Sequence, residues 1–372
     1  MNPLLAFSNP AGSQINIWET HPSLVIGFAI LVVVMLALDL GVFNKNSHVV
    51  SSKEALTWSV VWISLAMIFS GVVYFMFKAD ETAGNIPAGE ALNLFSQFQA
   101  AYWIEKALSV DNLFVFILVF TAFKVPQALH HKVLFWGIIG ALVFRAIFIF
   151  AGVGIINATY LPPMEIFGQT VQINIVLAIF GIFLLYSGIT SWGAHKDDDN
   201  EEQDFSNNMA VKLVNKMYTV SKSYDGDKFF TIQNGVKMAT PLFVAVVVIE
   251  FTDLIFAVDS IPAIFAISQD PFILYTSNIF AILGLRSLYF LLANFMHMFS
   301  KLPYGLAIVL AFIGVKMIIM PWFHFPSTVS LGIVGGILLL SVIASLIWPG
   351  EKQEPKAVEE THNDNLDNQE KH

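Results

Sequence analysis

The chain has 372 residues, of which 56% are hydrophobic, 34 are phenylalanine and only 13% are charged, with a formal net charge of −9. A water-soluble chain of this length needs far more charge to cover its surface, so composition alone selects a membrane class. No cationic patch is interleaved with aromatics, which argues against nucleic acid. The sequence also lacks cysteine, which leaves oxygen and imidazole as its metal-binding chemistry and excludes disulfides and haem attachment.

The first 22 residues carry no Lys or Arg, unlike the n-region of a signal peptide. The apolar run from Leu24 to Phe43 is too long for an h-region and lacks a small-residue cleavage site. We therefore expect a short external segment, 1–22, followed by a retained first helix. Crossing roughly 30 Å of hydrocarbon takes about 20 apolar residues at 1.5 Å each. Nine runs qualify: 23–43, 57–77, 99–123, 133–156, 173–192, 241–267, 273–298, 303–321 and 329–348. The predicted fold is an all-α polytopic membrane protein of about nine transmembrane helices.

These runs divide the chain into two leading helices (23–77), a three-helix unit (99–192), a polar loop (193–240), a second three-helix unit (241–321) and a last helix (329–348). The tail, 349–372, is polar and poor in apolar residues, so disorder is expected. The loop opens with Asp197, Asp198, Asp199, Glu201, Glu202 and Asp204. That cluster lacks the glycine and terminal glutamate of a calcium loop and reads as a solvated linker. An amphipathic helix is predicted at 209–218 and a turn at Asp225-Gly226-Asp227. With the N-terminus outside, 14 of the 19 Lys and Arg residues fall in cytoplasmic segments and only Lys78 in an external one. This positive-inside bias, with nine spans, puts the C-terminus in the cytoplasm.

Third and sixth spans share a pattern. Ala107-Leu-Ser-Val-Asp111-Asn112 matches Ile255-Phe-Ala-Val-Asp259-Ser260, and in that register Glu105 falls on Asp253. The next spans share Gly140-Ala-Leu-Val-Phe-Arg145 and Ala281-Ile-Leu-Gly-Leu-Arg286, and the following ones Leu177-Ala-Ile-Phe-Gly181 and Leu310-Ala-Phe-Ile-Gly314. Any two membrane helices look alike in apolar residues, whereas matched ionisable ones are specific. Because three is odd, the second unit enters with reversed polarity. Two inverted three-helix repeats are the usual architecture of secondary transporters, with the site near the midplane where they meet.

Charge at the bilayer centre costs about 2.5–3.5 kcal/mol per residue on insertion scales, which makes intramembrane ionisable groups functional candidates. Six acids qualify (Asp39, Glu105, Asp111, Glu250, Asp253, Asp259) against four bases, Lys106, Arg145, Arg286 and Lys316. Structural ion pairing accounts for part of the set, with Arg145 and Arg286 each expected to neutralise one aspartate and Lys106 to snorkel outward. Two acids remain, which a divalent cation, a proton, or both in exchange would balance. Lys316 reads either as a competitor for a carboxylate or as a structural counter-ion. Glu105 and Asp111, like Asp253 and Asp259, are six residues apart, about 240° around a helix. In the sixth span Pro262 removes a bond to the carbonyl of Val258 and predicts an interruption beside Asp259. Asn112 and Ser260 add neutral oxygens, either as ligands or as helix–helix hydrogen bonds. Such oxygen-rich, thiol-free chemistry favours hard cations such as Mn²⁺, Mg²⁺ or Ca²⁺, carried as substrate with no prosthetic group.

At these residues the chain resembles the TerC family of bacterial membrane proteins, which includes Alx-type manganese exporters and belongs to the LysE-like transporter superfamily. The resemblance rests on Glu105-Lys-Ala-Leu-Ser-Val-Asp111-Asn112 and on Glu250-Phe-Thr-Asp253-Leu-Ile-Phe-Ala-Val-Asp259-Ser260-Ile-Pro262-Ala. Thr240-Pro241-Leu and Asp39-Leu-Gly also fit, and the likeness runs from about residue 20 to 348. It implies manganese efflux, an association with tellurite resistance, and the motif acids as metal ligands. Two other readings are a membrane partner in metal supply or stress resistance, with the long loop as a docking surface for a protein, and an intramembrane aspartyl protease. Against the protease, its usual Gly-x-Gly-Asp motif is absent from the sequence, so an enzyme is not expected.

Overall fold

A computed structural model describes residues 17–43, 51–166, 169–194, 209–233, 235–295, 301–323 and 326–348. The loop's acidic cluster and the C-terminal tail lie outside the described residues. After a short turn, α1 (Ile17–Thr20), come α2 (Pro22–Phe43), α3 (Ser52–Thr82), α4 (Glu90–Ala122) and α5 (Gln127–Ala158). A hairpin of β1 (Met164–Ile166) and β2 (Gln169–Val171) leads to α6 (Ile175–Ala194). The described part of the loop holds the amphipathic α7 (Met209–Met217) and a second hairpin, β3 (Phe230–Gln233) with β4 (Val236–Ala239). Then follow α8 (Pro241–Phe265), α9 (Pro271–Leu283), α10 (Leu285–Phe295), α11 (Leu302–Ile319) and α12 (Ser327–Ile347). The signals that start them are local. Ser51 caps α3 by accepting from Glu54 N at 3.3 Å, and Asp270 caps α9 by accepting from Phe272 N at 2.8 Å, which satisfies amides that a helix start leaves open.

The chain is a polytopic all-α membrane protein. Among the described residues seven helical stretches are long and apolar enough to cross a membrane, namely α3, α5, α6, α8, Pro271–Ala293, α11 and α12. The other two predicted runs, in α2 and α4, are helical as well. Two expectations are corrected. Helix α8 runs through Pro262 without interruption, because the proline stands in its last turn, where one missing bond does not end the ladder. The break comes instead in the next predicted span, where Gly284 separates α9 from α10.

Neighbouring helices within each three-helix unit do not form compact halves; the two units interlock. Along α5 and α8, Gly137 lies against Ile249, Gly140 against Glu250 and Gly152 against Phe265, so the two helices run parallel. Helices α4 and α9 also run parallel, since Ser268 donates to Gln97 at 2.6 Å, Asn278 to Glu105 and Lys106 to Ala281 O. By contrast α6 and α11 are antiparallel, with Gly181 against Gly314 and Gly188 against Ala307 and Ala311.

The α6–α11 seam depends on its glycines. A Cβ at Gly314 would sit 2.5 Å from Leu185 N and 2.7 Å from Gly181 O. Backbone cannot step aside as a flexible side chain can, so Gly314→Ala must part the helices, at about 1–3 kcal/mol by analogy with overpacked cores. We expect a lower melting temperature of the detergent-extracted protein. Gly332→Ala on α12, which meets no atom within 4 Å, is the matched control and should melt like the parent.

Candidate functional site

A buried polar centre lies where α4, α5, α8 and α9 cross. Arg145 of α5 is 1% exposed and its guanidinium pairs with Glu105 of α4, which is fully buried. Its other terminal nitrogen is 3.5 Å from Asp253 Oδ1 of α8. Arg145 also donates to Asn278 Oδ1 of α9 at 2.9 Å, while Asn278 Nδ2 donates to Glu105 Oε2 at 3.1 Å. Ser109, one turn along α4, donates to Glu105 Oε1 at 3.1 Å. Four helices are thus tied through one planar fork, a geometry that guanidinium supplies and ammonium does not. Arg145, expected to neutralise one aspartate, takes a glutamate from one unit as well as an aspartate from the other. Those two acids are the pair that the sequence register matched.

Glu250 stands one turn before Asp253 on α8 and is pressed against Gly140 of α5. A Cβ at position 140 would fall on the Glu250 carboxylate, so the glycine is what makes its berth. Glu250 Oε2 is buried with no hydrogen-bond partner, a costly arrangement for a carboxylate. Lys106, expected to snorkel outward, points inward instead and donates to Ala281 O at 3.2 Å near the end of α9. At the end of α9 Gly284 N–H bonds Ile282 O, and the buried ammonium of Lys106 serves the Ala281 carbonyl, a favourable charge at a helix C-terminus. Gly284 is small for the same reason, since a Cβ there would come 2.6 Å from Lys106 Nζ. Gly140 and Ala281 are equivalent positions in the repeat register, and each receives a charged side chain from the first helix of the opposite unit.

Asn112 and Ser260 are buried, and Ser260 Oγ has no hydrogen-bond partner. Each directly follows a motif aspartate, Asp111 in α4 and Asp259 in α8. The side chains of Asp39, Asp111 and Asp259 lie outside the described residues. Among the described residues no three His, Asp or Glu side chains gather as a metal cluster. Arg286 is buried at the start of α10. Lys316 is buried in α11, on the helix that packs against α6 rather than at the Arg145 centre. The sequence reading missed Ser109, Asn278, Gly140 and Gly284. Asn278 had a signal, because a lone asparagine in an apolar span calls for a hydrogen-bond partner. Both glycines stand in the matched stretches Gly140–Arg145 and Ala281–Arg286, but what each makes room for depends on its neighbours in space.

The profile of the family described as "Integral membrane protein TerC family" matches residues 91–353 of this chain. An uncharacterized membrane protein of Myxococcus xanthus is 43% identical over 326 residues, covering 88% of this chain and 92% of that protein. A protein of Escherichia coli K12 named a putative membrane-bound redox modulator, Alx, is 42% identical over 324 residues, or 87% and 94% of the two chains. An uncharacterized membrane protein of Rickettsia bellii is 38% identical over 321 residues, or 86% and 96%. No solved structure matches the chain.

Proposed function

The chain belongs to the TerC family of integral membrane proteins, and on that premise we propose that it exports a divalent metal cation, Mn²⁺ foremost, through an acidic site between two inverted repeats. One observation carries the reading: register-matched acids from the two units, Glu105 and Asp253, converge on a single buried arginine. Helix directions support the inversion. Helix α8 runs with α5 rather than with its sequence counterpart α4, and the counterparts α6 and α11 are antiparallel. In this reading Arg145, Glu105 and Asp253 form a fixed charge frame. Asp111, Asp259, Glu250 and Asp39, with the neutral oxygens of Asn112 and Ser260, supply the cation's ligands. Arg286 and Lys316 are counter-charges, and protons are the coupling ion. Carboxylate and amide oxygens suit a hard cation; the choice of manganese rests on the family.

The lysine bias supports an N-terminus outside and a C-terminus in the cytoplasm, and the bacterial relatives support a location in the bacterial cytoplasmic (inner) membrane. The E. coli relative is named for redox modulation. This sequence has no cysteine, so thiol–disulfide exchange on its own side chains does not explain that name, whereas a change in cellular metal would reach redox balance indirectly. The test compares total cell metals in a deletion strain, its parent and an overexpressing strain under manganese load. Manganese should be highest in the deletion strain and lowest in the overexpressing one. Equal manganese in all three would overturn the export reading.

A further inference from the structure

The nine residues of α7 carry an apolar arc of which the protein covers only half. Ala210 and Val214 are buried and pack toward α8, while Met209, Leu213 and Met217, at 69%, 51% and 65% exposure, form a stripe at fourth-residue spacing beside them. Such exposed apolar surface on an amphipathic helix calls for a cover. The flank beyond the stripe is basic: Lys212 and Lys216 are both exposed, and α7 has no acid. The helix also lies at the level where α8 begins. Tyr218, directly after α7, meets Phe243 in the first turn of α8 with ring centroids 6.0 Å apart, and Val220 bridges to Ala239.

Described residues of the loop beyond α7 are fastened to the ends of the membrane helices. Lys132, in the first turns of α5, bonds Asp227 at 2.9 Å, and this holds the Asp227 carboxyl below its ordinary range. Tyr224 donates to Phe123 O, just past the end of α4, at 2.7 Å, and burial pushes its phenol up to about 12.

The geometry points to an anionic lipid surface as the partner of α7: Met209, Leu213 and Met217 enter the headgroup–acyl boundary while Lys212 and Lys216 bind lipid phosphates. An in-plane helix of this kind has one apolar face in the boundary and lysines at its polar edge. A water-facing helix would leave the stripe uncovered, and a protein partner would need acidic groups matched to both lysines. The inference stands apart from the transport reading.

The absence of native cysteine makes a single label clean. Leu213→Cys carries a polarity-sensitive bimane in full-length protein reconstituted into phosphatidylcholine vesicles with or without phosphatidylglycerol. Asn215→Cys, exposed about 200° further round the same helix, is the control. We expect the label at 213 to emit to the blue and to be quenched by lipid-borne doxyl groups, more so with phosphatidylglycerol. The label at 215 should be quenched by aqueous iodide. Adding Lys212→Gln and Lys216→Gln should remove the phosphatidylglycerol effect. Iodide quenching at 213 equal to that at 215 in both lipids would overturn the inference. So would protection of 213 from both quenchers that grows with protein-to-lipid ratio, which would assign the stripe to a second copy of the chain.

Discussion

Arg145→Ala is expected to leave little folded protein in the membrane. Removing one partner of a buried ion pair costs about 3–5 kcal/mol, and here a single deletion strands two carboxylates, Glu105 and Asp253, together with the amide oxygen of Asn278. Such a loss is a large share of the roughly 5–15 kcal/mol that separates folded from unfolded states in typical proteins. Arg145→Lys should be intermediate, because an ammonium on a shorter stem does not reach acceptors on three helices at once. The decisive variant combines Arg145→Met with Glu105→Gln and Asp253→Asn, which removes the stranded charges along with the arginine. It should recover a monodisperse peak on size exclusion and most of the melting temperature without recovering manganese export. Parental abundance and melting in Arg145→Ala alone would show that the guanidinium faces water and is not a keystone of the fold.

Much of this fold was legible because a membrane span announces itself. Among the described residues the predicted runs are largely helical, seven of them long and apolar enough to cross a membrane, since an apolar run in hydrocarbon has few other ways to satisfy its backbone. Breaks were harder to read. Proline draws attention wherever it stands, but Pro262 lies within a turn of the end of α8 and interrupts nothing. Gly284 does mark a break, yet in the sequence it is one glycine among many. Its role depends on Lys106 arriving from α4, 178 residues earlier in the chain.

For the site, the sequence supplied the residue types and their register but not their partners. Matching Glu105 to Asp253 was possible from spacing, whereas their meeting at one arginine follows from α4, α5, α8 and α9 crossing at that depth. Assigning one aspartate to each arginine left open which unit supplies it. An interlocked arrangement shares partners across units, and only direction along the helices reveals that. Lys106 was misread for a related reason: a long basic side chain snorkels when water is nearest, but here the free carbonyl of Ala281 is nearer.

Asp111→Asn and Asp259→Asn are expected to abolish manganese export while leaving folded protein. Both aspartates occupy equivalent register positions, in α4 and α8 respectively, and each lies six residues beyond an acid held by Arg145. The charge frame at Arg145 is built by Glu105 and Asp253, and in the proposed function Asp111 and Asp259 are the cation's ligands. Asparagine nearly preserves shape and keeps one oxygen, so the change removes charge with little loss of packing. A hard divalent ion depends on carboxylates far more than on amides, so each variant should lose protection against manganese overload and let cellular manganese rise to the level of the deletion strain. Asp199→Asn, in the acidic run of the loop, removes the same charge away from the predicted spans and should leave export unchanged. Glu105→Gln should differ from both, lowering protein abundance first, because its carboxylate is a structural partner of Arg145. If well-expressed variants at 111 and 259 exported manganese like the parent, the central site would be refuted. If they instead disturbed another metal and left manganese alone, transport would stand and the family-based selectivity would fall.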